Sequence, residues 1–124
     1  MAEFEITDSF DETKLRPINT RPTPSEGLTV IASKSHMSPE TKEFVDTLMV
    51  HEMVSAGSSL KFCLLAAGEA DIYPRHGRTM EWDTAAGHAI LNSAGGSVCN
   101  LDGTEFKYGK LERGLDNPFF IAKG

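Results

Sequence analysis

The sequence predicts an α/β layered domain with a mainly parallel mixed sheet flanked by helices. The first observation behind this is that short β-branched or apolar runs alternate with stretches of helical spacing, the pattern of strands joined by crossover helices. The second is that Gly and Pro fall at the boundaries between those runs. The third is size and composition: 124 residues, 40% hydrophobic and 24% charged, suit one globular core that needs no disulfide framework.

Residues 1–27 are polar, carry Pro17, Pro22 and Pro24, and read as an irregular or edge segment, so the folded body is expected over 28–124. Leu28 to Ser33 is a β-branched run expected to form a buried strand. Ser38-Pro39-Glu40 opens a helix, with Ser38 placed to cap and Pro39 at the first helical position. Phe44, Val45, Leu48 and Met49 carry its apolar stripe to about Met49. Met53 to Ser55 is the next strand. Ser58 to Ala67 is a helix stopped by Gly68, because Leu60, Cys63, Leu64 and Ala67 recur at helical spacing. Asp71 to Tyr73 is a strand followed by a loop with Pro74 and Gly77. Asp83 stands at the start of a helix from Thr84 to Ala94, which Gly95-Gly96 ends. Strands at Ser97–Asn100 and Phe119–Ala122 close the domain.

The net charge of -6 argues against nucleic acid or an anionic membrane as partner, since both need a clustered basic surface; a local basic pocket is compatible with it. No apolar stretch approaches the roughly 20 residues of a membrane span, and Met1-Ala2-Glu3-Phe4-Glu5 lacks the basic start of a signal peptide. A cytoplasmic location is expected. Cys63 and Cys99 lie in apolar runs without metal or redox spacing and read as reduced core thiols. Met37, Met49, Met53 and the aromatics read as core.

Gly57-Ser58-Ser59-Leu60-Lys61 offers an anion site, where a helix N-terminus presents free N–H groups beside two hydroxyls and an ammonium. On spacing alone, the favoured reading is that Ser58 merely caps the helix while Lys61 snorkels to water. His36, Ser58 and Arg75 all lie just past expected strand ends, where open α/β sheets collect ligands. Glu81-Trp82-Asp83-Thr84-Ala85-Ala86-Gly87 is the most informative stretch. Asp83 either caps its helix or ligates a magnesium ion, which prefers carboxylate oxygen and completes its shell with substrate phosphate. Ala85, Ala86 and Gly87 allow close approach.

Trp82-Asp83-Thr84-Ala85-Ala86-Gly87 resembles the WDxAAG signature of the inositol monophosphatase superfamily. Gly57-Ser58-Ser59-Leu60-Lys61-Phe62-Cys63 is similar to the 3'(2'),5'-bisphosphate nucleotidase branch of it, as are Ala32-Ser33-Lys34-Ser35-His36 and Asp71-Ile72-Tyr73-Pro74-Arg75. The resemblance implies the fold of the family's C-terminal half and Mg2+ as cofactor, with Asp83 as catalytic, metal-ligating and substrate-contacting residue. It implies that His36, Ser58, Lys61 and Arg75 contact a small nucleotide bisphosphate, 3'-phosphoadenosine 5'-phosphate. The implied reaction is hydrolysis of its 3'-phosphate to give AMP, in support of sulfur assimilation.

The family's upstream Glu and DPIDGT motif have no counterpart here, and Asp8-Ser9-Phe10-Asp11-Glu12-Thr13 does not reproduce it. The chain is therefore expected to be an excised or truncated C-terminal part, inactive alone, with a surface open to self-association where the other half would pack. The alternatives are an inositol monophosphatase-type phosphatase and a non-catalytic nucleotide-binding module.

Overall fold

The computed structural model describes residues 2–3, 15–32, 37–57 and 60–124. Near the N-terminus a two-residue strand, β1 (Ala2–Glu3), pairs antiparallel with β2 (Arg16–Pro17). The body follows as β3 (Leu28–Ile31), α1 (Pro39–Asp46), β4 (Val50–Val54), α2 (Leu60–Ala66), β5 (Ile72–Arg75), α3 (Glu81–Ser93), β6 (Ser97–Asn100) and β7 (Phe120–Lys123).

Five of these strands form one sheet in the order β4-β3-β5-β7-β6. β3 runs parallel to β4 and to β5, whereas β7 is antiparallel to both β5 and β6. Four strands therefore point one way and only β7 opposes them, so the expected mainly parallel mixed sheet is what forms.

The two-residue period of strands sorts side chains onto two faces. Ile31, Tyr73, Phe120 and Ala122 meet Phe62, Leu65 and Leu91 of α2 and α3 in the larger core. Val30, Ile72 and Ile121 point the other way and pack with Val45 of α1. Within the larger core Phe62, Tyr73 and Phe120 form a ring cluster with centroids 5.6 to 6.0 Å apart. The segment before β3 lies along this body. Arg21 forks onto the buried Asp71 carboxylate with two bonds of 2.9 Å, and the Thr29 N–H donates to the same carboxylate at 2.7 Å.

Several boundaries differ from expectation for local reasons. Ser38 caps α1 as expected, accepting from the Thr41 N–H at 3.2 Å. The helix ends at Asp46 and not near Met49, in a tightened last turn where the Thr47 N–H and hydroxyl both donate to the Phe44 carbonyl, at 3.1 and 2.6 Å. That releases residues 50–52 to begin β4 earlier than expected. Met49, at 71% exposure, is not core, and neither are Trp82 at 67% and Phe119 at 42%. β5 runs on through Pro74 to Arg75. The described β3–β5 pairing is Val30 with Ile72 alone, and β5 is carried on past it by β7, where Pro74 stands opposite Ile121.

α3 begins at Glu81, which makes Asp83 its third residue. Gly95, at φ +105°, ends it as expected in a conformation only glycine adopts without strain. Cys63 and Cys99 are free, half-buried thiols. None of the described helices is long and apolar enough to cross a membrane.

Candidate functional site

Strand order decides where a ligand can sit. β3 sends the chain through α1 to β4 on one side, and β5 sends it through α3 to β6 on the other. The carboxyl ends of β3 and β5 thus diverge and leave a crevice. A cleft of ≈ 220 Å³ opens there, lined by Ile31 and Ala32 after β3, Ser55 and Ala56 after β4, Ser38 and Thr41 of α1, and the run from Tyr73 to Gly77. Lys61 at the start of α2 forms its far wall and continues into a second cleft of ≈ 270 Å³, shared with Tyr73 and Arg75 and closed by Arg78, Thr79, Asp83 and Thr84.

The second cleft holds three cations and one described carboxylate in a chain whose net charge is -6. Burial lowers the Lys61 ammonium from its usual range, and the neighbouring Arg75 lowers it further. Its Nζ lies 5.1 Å from the centre of the Tyr73 ring. Burial raises the Tyr73 hydroxyl, with Arg75 opposing. Arg75 donates from Nη2 to the Arg78 carbonyl at 3.3 Å, and its Nε is buried without a hydrogen-bond partner among the described residues. A Cβ on Gly77 would sit 3.3 Å from that Nε, so the missing side chain lets the guanidinium lie against the loop. An unpaired buried donor beside a desolvated ammonium is suited to a phosphate oxygen.

Asp83 is exposed, and its Oδ2 accepts from the Met80 N–H at 2.8 Å. The capping role weighed for it is realised in reciprocal form, since Met80 has no oxygen with which to cap the helix itself. Beside this, the first cleft contains a polar chain in which Ser38 Oγ lies 2.9 Å from Thr41 Oγ1, which lies 3.0 Å from His76 Nδ1.

Of the residues picked from sequence, Lys61, Arg75 and Asp83 come together around one cleft, whereas His36 and Ser58 lie outside the described residues. Tyr73, Arg78, Thr79 and Thr84 were missed. Arg78 had a signal, as three basic or titratable side chains, Arg75, His76 and Arg78, fall within four positions directly after a strand.

A profile described as "Inositol monophosphatase family" matches residues 8–118. The chain belongs to that family. Among family relatives, the 3'(2'),5'-bisphosphate nucleotidase CysQ of Escherichia coli K12 is 48% identical over 93 residues, covering 75% of this chain and 38% of that protein. A protein from the pss 5' region of Rhizobium leguminosarum bv. phaseoli is 57% identical over 79 residues, 60% of this chain and 83% of its own length. The crystal structure of CysQ from Bacteroides thetaiotaomicron superposes with a TM-score of 0.78 at 36% identity, covering 96% of this chain and 46% of that one. A staphylococcal inositol monophosphatase-II shares the fold at a TM-score of 0.66 and 18% identity, over 87% of this chain and 41% of its own. The chain thus spans less than half the length of the CysQ proteins it matches.

Proposed function

We propose that this chain supplies the nucleotide-gripping wall of a phosphatase that hydrolyses the 3'-phosphate of 3'-phosphoadenosine 5'-phosphate to give AMP. By itself it binds this ligand without turning it over. The observation that carries the reading is the convergence of Lys61, Arg75 and Arg78 on one cleft at the carboxyl ends of the parallel strands. The names of the CysQ relatives support the nucleotide bisphosphate as ligand. In this reading Arg75 binds phosphate oxygens through its fork and Lys61 acts as a point charge. The same reading gives His36 and Ser58 further contacts with the ligand.

Magnesium is the cofactor in the same reading, holding phosphate and activating water when bound. No group of three His, Cys, Asp or Glu side chains among the described residues is arranged to hold a metal. Asp83 is one carboxylate, with one oxygen already engaged by the Met80 N–H. That set does not complete a magnesium site, so no chemical step is assigned to this chain. Its residues bind and orient phosphate, and Asp83 lends at most one ligand.

Inorganic phosphate release from adenosine 3',5'-bisphosphate with magnesium is the test. The chain alone is expected to release none above buffer. Coexpression with the part of the E. coli nucleotidase that it does not cover is expected to restore turnover, which Asp83→Asn abolishes. Turnover by the chain alone would overturn its assignment as a binding wall, and full turnover by the Asp83→Asn assembly would overturn the metal role.

A further inference from the structure

We propose that Glu81 and Asn117 are positioning residues that lash the first turn of α3 to the loop 107–117 and thereby set Thr79, Asp83 and Thr84 on the rim of the cationic cleft. The inference rests on the reading just given for that cleft and extends it to residues that do not line it.

Glu81 is buried at the N-terminus of α3, does not line the cleft, and bonds to the loop 107–117. Its carboxylate accepts from the Gly109 N–H at 3.1 Å, the Lys110 N–H at 3.2 Å and Lys110 Nζ at 2.8 Å. The Lys110 ammonium is the main cause holding this carboxyl below the usual carboxylate range. Lys110 also donates to the Lys107 carbonyl and lies 5.5 Å and 5.4 Å from the centres of the Phe106 and Tyr108 rings.

Asn117 is 3% exposed, and its Nδ2 lies 3.1 Å from Thr79 Oγ1, 3.0 Å from the Met80 carbonyl and 3.1 Å from Thr84 Oγ1. Backbone bonds run alongside, from Asn117 N–H to the Thr79 carbonyl and from Glu81 N–H to the Leu115 carbonyl, each 2.9 Å. Tyr108 adds a bond from its hydroxyl to Thr84 Oγ1 at 3.3 Å.

Met80 joins this lashing to the site. Its carbonyl is held by Asn117, while its N–H is the donor that Asp83 accepts. One residue therefore takes its position from the loop and passes it to the carboxylate. A buried ion pair contributes little to stability compared with an apolar pair of the same volume. What directional bonds supply is a single rotation and depth for the helix end, which apolar contacts do not impose.

The chain has one tryptophan, Trp82, between Glu81 and Asp83, so 5-fluorotryptophan reports the first turn of α3 directly by 19F NMR. The experiment compares wild type, Glu81→Gln and Asn117→Ala with Val45→Ala, which loosens the opposite face of the sheet. Each folded variant is titrated calorimetrically with adenosine 3',5'-bisphosphate well below its Tm. Glu81→Gln and Asn117→Ala are expected to weaken binding by about tenfold or more and to shift or broaden the fluorine resonance.

Val45→Ala should lower Tm while changing affinity by less than about twofold, because additive sites do not couple. If Glu81→Gln and Asn117→Ala do not fold, Lys110→Met carries the same readouts, since it leaves Glu81 its two backbone donors. Affinity within about twofold of wild type in the folded lashing variants overturns the inference, whatever the resonance does. A wild type that binds no nucleotide overturns the proposed function instead, and the fluorine resonance then decides the lashing alone.

Discussion

Replacing Gly87 by Ala tests why this helix carries a glycine where alanine would favour it. A Cβ built on Gly87 lies 2.6 Å from Phe62 Cδ2, 2.8 Å from Cγ and 2.9 Å from Cβ. The ring cannot swing aside, because it is stacked at 6.0 Å on Phe120 and meets Tyr73 edge-on at 5.6 Å. Overpacking costs about 1–3 kcal/mol, and three approaches under 3.0 Å to a ring held on two sides put this one in the upper part of that range, at about 2–3 kcal/mol. Alanine returns about 1 kcal/mol of helix propensity, so the net loss is about 1–2 kcal/mol. For a chain of this length the unfolding entropy is about 0.26 kcal/mol per kelvin, which converts that loss to a fall in Tm of about 4–8 °C. Differential scanning calorimetry measures it. The same substitution in a Phe62→Leu background should cost less, since the two sites touch. A Tm that stays level or rises in Gly87→Ala would refute the claim that α2 and α3 approach each other through this position.

Arg21→Ala leaves the Asp71 carboxylate buried with only the Thr29 N–H, and should cost about 2 kcal/mol in a urea melt. The wild-type pair also sets an acid limit. Burial alone would raise the Asp71 carboxyl, but Arg21 and the Thr29 N–H outweigh it and hold it below its ordinary value. A lowered folded-state pKa gives stability that is fully present above the unfolded value near 4 and lost as the pH falls through the folded value. Arg21→Ala should therefore flatten the loss of stability measured by urea melts below about pH 4. Lys61→Met should stabilise the chain, because burial and Arg75 lower the ammonium and make its charged form unfavourable at neutral pH. That stabilisation should shrink as the pH rises through the lowered Lys61 pKa toward 10.5, and nucleotide binding should be lost with it; a lower Tm at pH 7 would contradict the burial argument.

The fold was legible where local signals and long-range packing agree. Ser38-Pro39 marked the start of α1, Gly68 and Gly95 marked the ends of α2 and α3, and the β-branched run from Leu28 marked β3. It was not legible where a bond reverses the local signal. The start of α3 has Met80 at the cap position, a residue with no capping oxygen, and the cap comes from Asp83 reaching back. β5 contains Pro74, which reads as a loop, and the strand runs on through it because β7 pairs alongside from Ile72 to Arg75.

In the site, Lys61, Arg75 and Asp83 could be singled out because each stands beside a strand end or a helix start. Arg78 and Tyr73 join them through the path of one loop and one strand face, which spacing does not reveal. The bonds that tie Glu81 to Lys110 and Asn117 to Met80 span 29 and 37 residues and leave no periodic trace in the sequence.

The most direct test is an isothermal titration of this chain with adenosine 3',5'-bisphosphate, in wild type and in Lys61→Ala and Arg75→Ala. The cationic cleft requires saturable binding by wild type and a loss of about tenfold or more in each variant. Equal affinities in all three proteins, or a wild type that binds nothing at millimolar nucleotide, would contradict it.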